Sequence, residues 1–401
     1  MNFFEKIYCR TYQTFFRAAL PVLPYREPKR LASIDKIPGL LKNLNVSSVL
    51  LVTDSTLRRT DIATRLVSRL AESGINCAIY DGVNPNPTVH NVEKAFKVYR
   101  KHRAKAIIAF GGGSPMDCAK AVGARAAYPK KSVNEMKGIM KVLRRIPPLI
   151  AIPTTAGTGS EVTLAAVITD SDERHKYTMN SFTLIPRYAV LDPAVTVSLP
   201  KNLTATTGMD ALTHAVEAYI GRSTTRETRA CALDAVKLIF DNIEIAYRDG
   251  SNITARKNML TAAHKAGIAF SKSYVGYIHA VAHSLGGQYN IPHGLANSVL
   301  LPIVLEEYGS VVYKKLHRLG LAAGVSLNTD SDETGARKFI EAVKALNRRM
   351  EIPEKISGID EKDIAKMSRH AAAEANPLYP VPILWNAREL EKIYRKVKER
   401  D

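Results

Sequence analysis

Between residues 48 and 191, short apolar runs rich in β-branched residues alternate with stretches of helical periodicity. The runs at 49–53, 77–80, 106–110 and 149–152 are only four or five residues long. Strands of this kind are buried on both faces, which calls for a mainly parallel sheet covered by helices. Helices are expected at 60–73, closed by Gly74, and at 89–102, with further strand-like pieces at 166–169 and 188–191. After Asp192-Pro193 the texture changes. Helical spacing dominates at 206–220, 226–247, 253–270, 276–286, 295–307, 311–323, 333–349 and 386–400, with few strand signals. The expected organisation is an α/β domain over 1–197, led by an aromatic segment at 1–34, and an all-helical domain over 198–401. A chain of 401 residues is long enough to bury two cores.

Composition narrows the function. The formal charge of +19 invites a polyanion-binding reading, but the basic residues are spread along the chain and no nucleic-acid recognition motif accompanies them. Specific nucleic-acid binding is not expected. Cys9, Cys77, Cys118 and Cys231 are scattered without C-x-x-C spacing, which fits a reducing, cytoplasmic setting. No apolar run approaches the roughly 20 residues of a membrane span. At the N-terminus, Phe3, Phe4, Ile7, Tyr8, Tyr12, Phe15, Phe16 and Leu20 are expected to form one face of a basic amphipathic helix. Such a helix docks on the protein's own body or on a partner subunit.

The helical half carries two ligand pairs. Asp210 and His214 are four residues apart, as are His279 and His283, and Pro292-His293-Gly294 follows. Residues four apart share a helix face, so each pair converges on a point. One such pair is ordinarily a packed core feature. Two pairs and a further His on apolar flanks point to a divalent transition metal, Fe(II) or Zn(II).

The α/β half carries two glycine- and hydroxyl-rich turns after strands. GGGSPMDCAK begins at Gly111, and PTTAGTGSE begins at Pro153. Ligands of open α/β sheets bind at the carboxyl ends of strands, and helix N-termini favour phosphate, so a dinucleotide is the expected guest. Asp54, at the end of the first strand, is placed for an adenosine ribose, which selects NAD over NADP; its simpler role is a helix cap.

GGGSPMDCAK, PTTAGTGSEVT, TGMDALTHAVEAY and HAVAHSLGGQYNIPHGLAN, in this order, resemble the iron-containing (group III) alcohol dehydrogenases. The resemblance runs from about residue 35 to the C-terminus. It implies a Rossmann-like dinucleotide-binding domain followed by an all-α domain, a dehydroquinate synthase-like architecture with the active site between the two. It also implies metal ligands Asp210, His214, His279 and His293, with His283 as a catalytic residue that relays a proton or supports the site. Implied NAD contacts are Asp54, Asn86, Gly112, Gly113, Ser114, Asp117, Thr154, Thr155, Thr158 and Lys176. Phe270 and Ala165 would border the substrate. Lys272, near Phe270, stands where the family often has Asn. The expected activity is reversible, metal-dependent hydride transfer between an alcohol or diol and NAD, by a homodimer. The alternatives are a glycerol-type polyol dehydrogenase, a non-redox enzyme of the same fold, or a polyanion-binding protein.

Overall fold

The computed structural model describes residues 1–170 and 175–399. The chain forms two compact units, Pro24–Ser198 and, separately, Met1–Leu23 with everything from Leu199 onward.

The strands of the first unit are β1 (Lys29–Leu31), β2 (Ser48–Val52), β3 (Asn76–Tyr80), β4 (Ala106–Gly111), β5 (Gly138–Ile139), β6 (Leu149–Pro153), β7 (Ala165–Asp170), β8 (His175–Asn180) and β9 (Tyr188–Val190). Six of them make a parallel sheet in the order β1-β9-β6-β4-β2-β3. Alternate residues of its central strands enter two different cores. Leu50, Val52, Ile107 and Ala109 belong to one, and Val49, Leu51, Ile108 and Ile150 to the other. That two-sided burial is why these runs are apolar throughout.

The expected strand at 166–169 is present but lies in a second sheet, ordered β5-β8-β7, where it pairs antiparallel with β8. Periodicity does not reveal β1 or β8, whose sequences, KRL and HKYTMN, are polar. Parallel pairing of β1 with β9 comes from backbone hydrogen bonds rather than from an apolar face.

The second unit is helical. Its central element, Lys201–Ile220, is buried on nearly every side from Thr204 onward. Around it lie Arg226–Arg248, Ile253–Ser273, Tyr277–Tyr289, His293–Tyr308, Tyr313–Ala322, Asp332–Arg349, Glu361–Ala375 and Ala387–Val397. The helix Glu361–Ala375 escapes the sequence reading. Its buried stripe of Ile364, Met367, Ser368, Ala371 and Ala375 consists mostly of small residues with little apolar contrast.

The sequence reading groups the aromatic leader with the α/β half, whereas residues 1–23 pack on the helical unit. The helix Phe3–Ala19 is held by polar contacts that periodicity does not report. Arg10 donates to the Val381 and Pro382 carbonyls (2.7 and 2.9 Å), and Gln13 donates to the Tyr379 carbonyl (2.7 Å). Phe16 meets the Tyr274 ring edge-on, with centroids 4.9 Å apart. The residues expected on one face therefore separate: Phe16 turns inward with Cys9 and Gln13, while Phe3, Phe4, Ile7, Tyr8 and Phe15 face outward.

Candidate functional site

Three helices of the helical unit bring the expected ligands together. Asp210 lies in the middle of Lys201–Ile220, His279 near the start of Tyr277–Tyr289, and His293 opens His293–Tyr308. The last two helices are joined by a tight turn. Asn290 takes a left-handed conformation (φ 56°) that ends the first, and Pro292 precedes the second. Gly294 lets this junction approach the central helix, because a Cβ there would lie 2.6 Å from the Thr206 carbonyl oxygen. Thr206 is one turn before Asp210, so the Pro-His-Gly sequence sets His293 over the carboxylate.

One ligand atom from each of Asp210, His279 and His293 lies within 4.8 Å of the other two. Asp210 Oδ1 is 3.5 Å from His293 Nε2 and 3.8 Å from His279 Nε2. A single donor sits at their focus. The Asn297 Nδ2 donates to Asp210 Oδ1 (2.7 Å) and lies 3.2 and 3.1 Å from the two Nε2 atoms. The three acceptors therefore aim their lone pairs at one buried point, as a divalent cation requires. Asn297 Oδ1 has no hydrogen-bond partner among the described residues. His214 is not in this group of three. Its ring stacks between Phe270 and His279, with centroids 4.1 and 4.5 Å away.

Beneath His279 lies Glu217, also fully enclosed. Its Oε2 is 2.6 Å from His279 Nδ1, and its Oε1 accepts the Ile278 N–H at 2.8 Å. Burial pushes the Glu217 carboxyl up to about 8, against the lowering effect of backbone N–H donors. Burial also holds His279 well below the usual imidazole value, and the neighbouring His214, His293 and His283 add to this. With Nδ1 held against the Glu217 carboxyl, Nε2 is the His279 atom turned toward Asp210.

His283 stands apart from this arrangement. Its Nδ1 is 2.6 Å from Glu374 Oε1, which also accepts the Tyr379 hydroxyl at 2.7 Å. Its ring stacks on that of His293, with centroids 5.2 Å apart, and its side chain is one-quarter exposed. Lys272, near Phe270 in sequence, pairs with Glu227 at 2.6 Å.

In the α/β unit the two glycine turns pack against each other. Gly111 has φ 154°, and a Cβ there would strike Pro115 at 2.4 Å, so the turn into the helix Gly113–Ala127 needs glycine. The Thr154 N–H donates to the Gly111 carbonyl at 3.1 Å. Gly112, the N-cap, has no side chain, leaving the first N–H groups of the helix available to an anion. Asn86 (φ 59°) joins this edge: its N–H donates to Ser114 Oγ (3.3 Å), and its Oδ1 accepts from Lys176 Nζ (2.9 Å). Burial lowers the Lys176 ammonium.

Asp54 Oδ1 caps the short helix Ser55–Arg58, accepting from the Thr56 and Leu57 N–H groups. Asp117 works inside the protein. Its two oxygens accept from Ser160 Oγ (3.0 Å) and the Val167 N–H (3.1 Å), and burial pushes it up to about 6. The buried Lys120 ammonium, lowered to about 8 by burial, donates to Ser160 Oγ, Thr163 Oγ1 and the carbonyl of Ala165, the residue that opens β7.

Sequence reasoning missed Glu217, Asn297, Lys120, Glu374 and Tyr379. The first three had a signal, since each lies one or two helical turns from an expected site residue: Asp210 to Glu217, His293 to Asn297, Asp117 to Lys120. A carboxylate or ammonium inside an otherwise apolar helix face is rarely buried unless paired.

Two family models match the chain. One, the iron-containing alcohol dehydrogenases, covers residues 30–193, and the other, the C-terminal region of that family, covers residues 204–398. A 1,3-propanediol dehydrogenase from Klebsiella pneumoniae is 38% identical over 88% of this chain and 92% of its own length. Alcohol dehydrogenase 4 of Saccharomyces cerevisiae (strain YJM789) is 35% identical over 92% of this chain and 95% of its own length. The solved structure of a 1,3-propanediol oxidoreductase superposes with a TM-score of 0.89 at 36% identity, covering 93% of this chain and 99% of that one. The α/β unit with its parallel sheet, the helical unit and the sequence matches together show that this chain belongs to the iron-containing alcohol dehydrogenase family.

Proposed function

We propose that the chain interconverts a short-chain alcohol or diol with its aldehyde or ketone, using NAD and a divalent ion, Fe(II) or alternatively Zn(II). One observation carries this reading: the lone pairs of Asp210, His279 and His293 meet at a single buried point. The relatives' names, 1,3-propanediol dehydrogenase and, at 35% identity, lactaldehyde reductase of Escherichia coli, support small alcohols or diols as first candidates.

When bound, the ion supplies Lewis acidity toward the substrate oxygen, and the nicotinamide supplies the hydride acceptor. The chain supplies the holding and the proton route. Asp210, His279 and His293 would hold the ion, with His214, stacked on His279, as the fourth ligand that the family resemblance implies, and Glu217 would orient His279. Phe270, stacked on His214, presents an apolar wall to the substrate. His283, oriented by Glu374 and partly exposed, takes the alcohol proton toward water. On the nucleotide side, Gly112, Gly113, Ser114, Thr154, Thr155 and Thr158 receive the pyrophosphate, with Asn86 and Lys176 at its edge. Asp54 Oδ2 accepts from the adenosine ribose while Oδ1 keeps its capping role.

The test is NADH absorbance during turnover by anaerobically purified protein, over a panel of alcohols and diols. Turnover with NAD that EDTA abolishes and Fe(II) or Zn(II) restores is expected, with NADP far weaker. No turnover with any alcohol, aldehyde and metal combination would overturn the reading.

We further assign the protein to the cytoplasm as a homodimer. The free thiols of Cys9, Cys77, Cys118 and Cys231 support a reducing compartment. The outward Phe4 and Phe15, 80% and 72% exposed, support contact with a second copy. Light scattering should give a dimer mass for the wild type and a monomer mass for Phe4→Glu/Phe15→Glu. An unchanged mass in the variant would remove that contact.

A further inference from the structure

An open surface depression of about 570 Å³ in the helical unit lies between Arg226–Arg248 and Tyr313–Ala322, with Tyr219 from the central helix at its side. Each of the two helices contributes one face. Arg226, Arg229 and Leu233 recur at spacings of three and four from one, and Arg318 and Leu321 are three apart on the other. Three guanidiniums, those of exposed Arg226 and Arg318 and half-buried Arg229, therefore rim a depression whose remaining lining is apolar.

The positive charge there is not compensated by the protein. Arg229 donates to Thr224 Oγ1 at 2.9 Å, a neutral partner. The nearby acids on the same helix are engaged elsewhere, Glu227 with Lys272 (2.6 Å) and Asp234 with Lys265 (2.7 Å). Among the described residues, none of Arg226, Arg229 and Arg318 has a carboxylate within ion-pair distance. More cations crowd the same region. Lys315 caps the carbonyls of Ile220 and Gly221, and burial lowers it to about 8, with Arg222, Arg229 and Arg17 pushing the same way. Cations gathered on one face raise the local concentration of anions there.

We propose that this depression binds a phosphate group carried on an apolar stem. Three guanidinium forks match the several anionic oxygens of a phosphate, a wider acceptor set than a single carboxylate offers. Tyr219, Leu233 and Leu321 would cover the stem. Two sources share this chemistry, a soluble phosphate ester and a phospholipid headgroup.

The experiment uses the full chain loaded with metal and saturated with NAD, so that other phosphate-binding loops are filled. Phenyl phosphate is titrated calorimetrically into the wild type, into Arg226→Ser/Arg318→Ser, and into Lys366→Ser/Lys392→Ser as a control of equal charge change. Co-sedimentation with phosphatidylcholine vesicles, with and without phosphatidylglycerol, runs in parallel. The expected result is at least tenfold weaker binding in the arginine variant alone, with its circular dichroism melt unchanged. Loss confined to phenyl phosphate identifies a soluble ester, and loss that includes phosphatidylglycerol vesicles identifies a headgroup. Equal binding by wild type and arginine variant, equal weakening in the lysine control, or no binding by the wild type to either probe would overturn the site.

Discussion

Glu217 is the residue whose neighbours define its role most narrowly. A carboxyl enclosed this completely is costly unless it is spoken for, and it is held by the Gly276 and Ile278 N–H groups and by His279 Nδ1. In Glu217→Gln the shape survives but the carboxylate that steadies the imidazole is gone. Metal affinity should fall by roughly 10- to 100-fold, the range typical for such outer partners. His279→Ala should lose stoichiometric metal while its circular dichroism stays native. Metal analysis after dialysis reads both variants, and full occupancy in His279→Ala would take that residue out of the ligand set. At this scale the sequence is legible where chemistry and spacing coincide. Asp210, His279 and His293 stand out as a carboxylate and imidazoles on apolar flanks, although the helical partners that drew attention to them, His214 and His283, fall outside the group of three. Glu374 does not stand out, since its contact with His283 spans 91 residues and only the fold creates it, and Tyr379 joins through Glu374.

At the level of elements, the glycine turns owe their positions to a buried polar lock. Lys120 projects from the helix Gly113–Ala127 and ties Ser160, in the second turn, and Thr163, just after it, to the start of β7. Asp117, one turn earlier on that helix, grips Ser160 and β7. Lys120→Met would leave three acceptors without their donor and Asp117 without its nearest cation. A buried acceptor left without its donor costs about 1–3 kcal/mol, so the urea midpoint of the α/β unit should drop accordingly and NAD affinity should fall with it. A midpoint within experimental error of the wild type would show that the lock contributes nothing. β2, β4 and β6 are legible because burial on both faces makes them uniformly apolar, and the edge strand β3 is legible from its short apolar run even though only alternate residues are buried. The β7–β8 hairpin is not, because β8 carries polar residues and its pairing is settled by backbone hydrogen bonds. The leader fails for a related reason. Amphipathic spacing says that a helix forms at 3–19, but Arg10 and Gln13, not the aromatic stripe, decide what it packs on.

For the whole molecule, the division into two units has a thermodynamic consequence. The α/β unit has its own two cores over the faces of one sheet, and the helical unit is built on the buried helix Lys201–Ile220. The proposed metal ligands all lie in the helical unit, and the proposed NAD contacts all lie in the α/β unit. A ligand that binds only the folded form stabilises the unit that holds it, by about 4 kcal/mol when present at a thousand times its dissociation constant. For a unit of this size that is a rise in melting temperature on the order of 10 °C. Scanning calorimetry should therefore resolve two transitions. Chelation should lower one without moving the other, and NAD should raise the one that chelation leaves in place. A single transition that both ligands shift together would mean that the units unfold as one, and the separate assignment of metal and nucleotide to them would lose its energetic support.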